Sequence, residues 1–289
     1  MAVTTGKLTS ERVRGLVWVC DIQDSTKYLN NDEKVDLFED YIARFYYISS
    51  QIANAANATM YKWTGDGFIA WFDCDLDRNA GKLAASLCEA AWQLSFLNNV
   101  TQLGLSFKSP IKLRNGITYE KDGLHIMIEN PVGEQTSDYV GRDVVLAFRI
   151  SGISVDFPSI ITTWEIVNRV KDYPLDYLRF EKLEISEEQI DRYFKGEKRL
   201  AKSLFGTSAK IKESRYRSTE NVIKELVNTK TKIQNIAPSE FASKYHSIFT
   251  NGPGWAKVVG DKLIEFIKHE LYGNFEELFK TTYINKKIT

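Results

Sequence analysis

The stretch LVWVCDIQDSTKYLN, residues 16–30, constrains this chain more than any other. Leu16 to Cys20 is a short apolar run with β-branched valines, the pattern of a buried strand. It ends in Asp21, and Asp24, Ser25 and Thr26 follow, residue types that cap helices. A helix-compatible run rich in Asp, Glu and Lys continues to about residue 52. A carboxylate at the edge of a buried strand is costly unless a cation or hydrogen bonds compensate it. The turn after it offers free backbone N–H groups and the positive end of a helix, which suits phosphate. Strand, aspartate and turn together suggest a metal–phosphate site, with an ordinary capped turn as the plainer reading.

A second stretch strengthens the first. Met60 to Phe72 reads MYKWTGDGFIAWF, two apolar segments around Thr64-Gly65-Asp66-Gly67. Asp-Gly supplies residues that a tight hairpin turn tolerates. An aspartate at that tip, beside the first strand, would complete a two-carboxylate nest for Mg²⁺ or Mn²⁺, which are held by carboxylates plus substrate phosphates.

The combined pattern resembles the class III nucleotidyl cyclases. It consists of Asp21-Ile22-x-x-Ser25-Thr26, then Lys62-x-x-Gly65-Asp66, then Gly141-x-x-Val144-x-x-Ala147-x-Arg149. Leu113-Arg114-Asn115-Gly116-Ile117 is similar to the family's Arg-x-Gly-Ile strand. The resemblance spans roughly residues 12 to 185.

Along the chain, residues 1–12 read as a loose tail. Residues 32–57 read as a helix with a stripe of Leu37, Tyr41, Phe45 and Ile48, and the Ala- and Leu-rich residues 78–100 as a second. Ile111 to Thr118 and His125 to Asn130 read as two strands, and Tyr119-Glu120 stands where the family often has a Gly. A helix follows Gly141, and residues 160–170 form a strand–helix pair. The expected fold is α+β, a ferredoxin-like, palm-type β-α-β-β-α-β sheet with helices on one face. Residues 12–185 form the expected catalytic domain. Residues 186–289 form a helical C-terminal extension, opened by a capping-box-like Ser186 and with further helices at 218–236 and 255–280.

Composition excludes several classes. With 38 basic and 38 acidic side chains the formal charge is zero, giving no electrostatic case for nucleic acid. No apolar run reaches the length of a membrane span, and the N-terminus lacks a signal peptide's apolar core, so a cytoplasmic protein is expected. Cys20, Cys74 and Cys88 lack metal-ligand spacing and read as reduced core thiols.

The resemblance implies a homodimer whose sites are shared between protomers. Asp21, Asp66 and the Ile22 carbonyl would hold two divalent ions, Mn²⁺ or Mg²⁺, in one protomer. The amides of Gln23, Asp24, Ser25 and Thr26, with the Thr26 hydroxyl, would face the β- and γ-phosphates. Lys62 and Asp138 of the other protomer would read the base, and its Arg149 would oppose charge on the α-phosphoryl group. The family's Asn is replaced by Val145, which donates no hydrogen bond. Losing such a donor costs about 10²–10³ in rate unless another group substitutes. The Lys–Asp pair sets guanine aside more readily than it chooses among adenine, cytosine and uracil, and Trp63 beside Lys62 is expected to fill purine space. With the altered Asn position and the helical extension, the chain is similar to bacterial pyrimidine cyclases. These make cyclic UMP or cyclic CMP as messengers in antiviral defence, acting on a separate effector. An adenylate cyclase and a catalytically degenerate nucleotide-binding dimerisation module are the alternatives.

Overall fold

The structure is a computed structural model that describes residues 7–30, 32–74, 77–101, 111–129, 134–153, 159–173, 179–195 and 197–207. The first half contains β1 (Lys7–Ile22), the short α1 (Thr26–Leu29), α2 (Asp32–Ala55), β2 (Met60–Trp63), β3 (Gly67–Asp73) and α3 (Asp77–Thr101). Then come β4 (Leu113–Glu129), β5 (Gln135–Val140), α4 (Arg142–Ser151), β6 (Ser159–Thr163) and α5 (Trp164–Val170). The described chain ends with β7 (Phe180–Lys182), α6 (Glu187–Tyr193), α7 (Lys198–Ala201) and β8 (Leu204–Thr207). One sheet holds the strands in the order β2-β3-β1-β4-β6-β8-β7, with β5 on the outer half of β4. Among the described residues, no helix is long and apolar enough to cross a membrane.

Strand alternation sorts β1 between two faces. Leu16, Trp18, Cys20 and Ile22 join Phe68, Ala70 and Phe72 under α2 and α3, the main core. Val17 and Val19 join Ile69 and Trp71 on the other face, covered by Tyr139 of β5 and by Val144 and Ala147 of α4. The two long helices thus share one face as expected, while α4 crosses the opposite one. In α2 the stripe is Phe38, Tyr41, Phe45 and Ile48; Leu37 is only half-buried, because Phe38 takes the core position. All three cysteines are buried and free.

Three expectations change. The tail is strand from Lys7 onward, paired to the outer half of β4. The two strands expected at 111–118 and 125–130 are one, β4, because β1 accompanies it over its whole length with a register shift between Val13 and Gly15. Residues 186–207, read as part of a helical extension, supply α6, α7 and β8 to the sheet layer. β8 lies between β6 and β7, and Phe194, Ala201 and Leu204 pack with Leu146, Ile150 and Ile161. Ser186 does cap α6, accepting from the Gln189 amide at 3.3 Å. The helices expected at 218–236 and 255–280 lie outside the described residues.

Candidate active site

Asp21 stands at the end of β1, opposite Gly67 on β3 and Arg114 on β4. The β2–β3 hairpin brings Asp66 beside it: the Ile22 amide donates to the Asp66 carbonyl at 3.0 Å, and Ser25 Oγ donates to Asp66 Oδ2. The turn needs Gly65, at φ +104°, and Gly67, where a Cβ would lie 2.1 Å from the Cys20 carbonyl oxygen. Arg114 Nη2 bonds Asp21 Oδ2, and both side chains are largely buried.

Burial raises the Asp21 carboxyl above its ordinary value; Arg114 opposes that shift and the Asp66 charge adds to it. Two close carboxylates, one of them resisting ionisation, make a place that a divalent ion would relieve. Among the described residues no group of three or more His, Cys, Asp or Glu could hold a metal, so substrate oxygens would have to complete the shell. The donor set fits a hard, oxygen-liganded cation that arrives with a triphosphate.

The turn after Asp21 is only partly available for phosphate. The Gln23 amide donates to the Lys112 carbonyl at 2.8 Å, so it does not face a ligand. Asp24 adopts φ +60° and pairs with Lys27 at 2.6 Å, while buried Ser25 precedes exposed Thr26 at the start of α1.

Lys62 and Asp138 meet at 2.7 Å, 76 residues apart in sequence. The Tyr139 amide fixes the other carboxylate oxygen of Asp138 at 3.0 Å. Trp63 does not stand with them. It packs on the main core against Phe45 and Tyr46, while Lys62 pairs with Ile69, whose side chain belongs to the opposite face. Tyr61 likewise lies on the core side, bonded to Ser49. The expected filling of purine space by Trp63 is therefore wrong, since neighbouring residues of a strand point to opposite faces.

Arg149 lies on α4 with its Nη1 4.0 Å from Glu197 Oε1, and Val145 and Phe148 are exposed on the same helix. One chain therefore assembles the Asp21–Asp66 and Lys62–Asp138 pairs separately, and gives Arg149 an acid from the α6–α7 connection as its partner.

No protein-family profile matches the chain, and no curated protein matches it by sequence. Solved structures do. The adenylyl cyclase CyaB from P. aeruginosa superposes with a TM-score of 0.53 at 18% identity, over 71% of this chain and 100% of that one. The guanylyl cyclase Cya2 gives 0.50 at 14% identity, over 71% and 96%. The guanylate cyclase domain of RhGC from Catenaria anguillulae, in complex with GTP, gives 0.50 at 13%, over 70% and 98%. The fold is that of a class III nucleotidyl cyclase domain.

Within this cyclase fold, two residues carry more than the sequence suggested. Arg114, within the Arg-x-Gly-Ile strand, pairs with Asp21 and donates to the Gly152 carbonyl at 3.0 Å. Its signal was a basic residue just inside the start of a strand, next to an otherwise uncompensated acid. Glu120, where the sequence departs from the family pattern, is buried beneath the start of α4.

Proposed function

We propose that this chain is a nucleotidyl cyclase that converts a pyrimidine nucleoside triphosphate, UTP or CTP, into the 3′,5′-cyclic monophosphate and pyrophosphate. The observation that carries the cyclase reading is the meeting of Asp21 and Asp66 at the strand end, beside the Ser25–Thr26 turn. Asp21, Asp66 and the Ile22 carbonyl would hold Mn²⁺ or Mg²⁺. Bound there, the ions would neutralise the triphosphate and make the ribose 3′-hydroxyl more acidic.

The chain's own groups do the rest. The Asp24–Thr26 turn and the Thr26 hydroxyl receive the outer phosphates. Arg149 of the partner subunit opposes the charge that builds as the 3′-oxygen bonds to the α-phosphorus and pyrophosphate leaves. Lys62 donates to the base and Asp138 accepts from it, their only capacities when charged. Cytosine offers a ring acceptor beside an amino donor, and uracil a carbonyl beside N3–H. Val145, an exposed apolar side chain, stands where the commoner cyclases have Asn, and the resemblance to the bacterial pyrimidine cyclases rests in part on this departure. The product would act as a messenger on a separate effector protein in antiviral defence.

Adenine also matches a Lys–Asp pair, so the Lys62–Asp138 contact supports adenylate cyclase as the second reading. Incubating the protein with each of the four triphosphates and Mn²⁺, then identifying products by mass spectrometry, separates the readings. Higher kcat/KM for UTP or CTP supports the proposal. Preference for ATP transfers it to adenine, and no cyclic product from any triphosphate leaves a nucleotide-binding module.

A further inference from the structure

Alternate residues of β4 form a rail under α4. Arg114 donates to the Gly152 carbonyl at the helix C-terminus. Gly116 admits the helix backbone so closely that a Cβ would lie 2.4 Å from the Ala147 carbonyl oxygen. Thr118 Oγ1 donates to the Asp143 carbonyl at 2.7 Å. Glu120 Oε2 accepts from the Asp143 amide at 2.8 Å, while its Oε1 accepts from the Asp122 amide at 3.1 Å.

The last contact is unusual in kind. Glu120 is 3% exposed, a degree of burial that a carboxylate tolerates only when its oxygens are satisfied. The N-cap of α4 is Gly141, which has no side chain to cap the helix; a Cβ there would fall 2.1 Å from Glu120 Oε2, so a larger residue would displace that carboxylate. Glu120 thus performs from the sheet the task that a capping side chain performs in sequence. Arg149 lies two turns along the same helix, on a path fixed by the rail.

We propose that Glu120 is a positioning residue: it anchors the first turn of α4 on β4 and so sets where Arg149 stands during cyclisation. This rests on the cyclase reading above. Both Glu120 carboxylate oxygens are engaged by backbone amides in the interior, so its effect on the reaction passes through the helix.

The test is a double-mutant cycle on the full chain with Glu120→Gln, Arg149→Ala and the combination. Gln offers one acceptor where two amides need one each. Glu120→Gln should lower kcat about tenfold, the loss of one charge-assisted bond, with KM within about twofold. In the Arg149→Ala background the same change should cost almost nothing further. Hydrogen exchange should show the Asp143 amide losing protection. If Glu120→Gln does not fold, Thr118→Val removes the neighbouring tie and should show a smaller kcat loss with the same non-additivity. A full additive loss in the double variant, an unchanged kcat, or an Asp143 amide that keeps its protection would each overturn the proposal. A wild-type chain inert on all four triphosphates would overturn the cyclase reading and with it the catalytic role of Glu120. The exchange experiment would then still decide the anchoring of α4.

Discussion

Asp21 shows how one residue can serve a site and the fold at once. Arg114 is largely buried beside it, so Asp21→Ala should abolish cyclisation and also leave an uncompensated guanidinium. The expected loss of stability is about 2 kcal/mol, allowing for partial exposure of the pair. Asp66→Ala should abolish cyclisation too, but with a smaller loss, because it strands only the Ser25 hydroxyl. Chemical denaturation of the two variants side by side measures the difference; an Asp21→Ala chain as stable as Asp66→Ala would show that Arg114 needs no partner. Asp143 behaves differently. Burial, then the Glu120 charge and more weakly Glu165, raise its carboxyl to about 6, against Arg142 and Lys121. The folded state therefore binds a proton that the unfolded chain has released between its ordinary value of 3.8 and about 6, and stability falls as pH rises through that window. Asp143→Asn should stabilise by roughly 1 kcal/mol above that window, after discounting for exposure. The gain should fade as pH falls through that window and vanish below 3.8, where Asp143 is neutral in both states. A gain independent of pH would remove Asp143 as its source.

At the scale of elements, β4 and α4 matter most, because their contact is backbone against backbone at Gly116. Gly116→Ala must push α4 outward, since the clashing atom is a carbonyl oxygen rather than a flexible side chain. A loss of about 1–3 kcal/mol is expected, together with reduced turnover, read by denaturation and initial rates. Normal stability would mean that the helix yields without cost. The same pair of elements marks where sequence reading stopped. The Asp21 turn and the Asp66 hairpin were legible because each is local, a strand end and a tight turn written in consecutive residues. The Arg114–Asp21 pair joins residues 93 apart, and only strand register brings them opposite one another. Glu120 hid because a buried acid in mid-strand looks like the end of a strand, which divided β4 in two. Strand alternation sends Lys62 and Trp63 to opposite faces, so their adjacency in sequence is not adjacency in space. β8 was missed because four residues, Leu204–Thr207, gain strand character only from their neighbours β6 and β7.

For the whole molecule, the decisive question is whether one chain makes a site. The carboxylates lie at the end of β1, while Arg149 faces Glu197 and sits on a helix whose exposed side carries Val145 and Phe148. Val140, on the neighbouring strand, is exposed as well. A two-fold partner would cover these side chains and bring each Arg149 to the other chain's carboxylates, as an isologous contact requires. Mixing Asp66→Ala chains with Arg149→Ala chains tests this directly. Each homodimer lacks the same component in both sites and should keep only a small residual rate. A mixed dimer collects both lesions in one site and leaves the other whole. Random exchange makes half the dimers mixed, so recovery should reach about a quarter of wild-type activity. Sedimentation must first confirm that each variant is dimeric and that the chains exchange. Recovery near that fraction shows that Asp66 and Arg149 act across the interface. Silence from mixed dimers would mean that both residues serve a site within one chain, and that Arg149 must leave Glu197 to reach it.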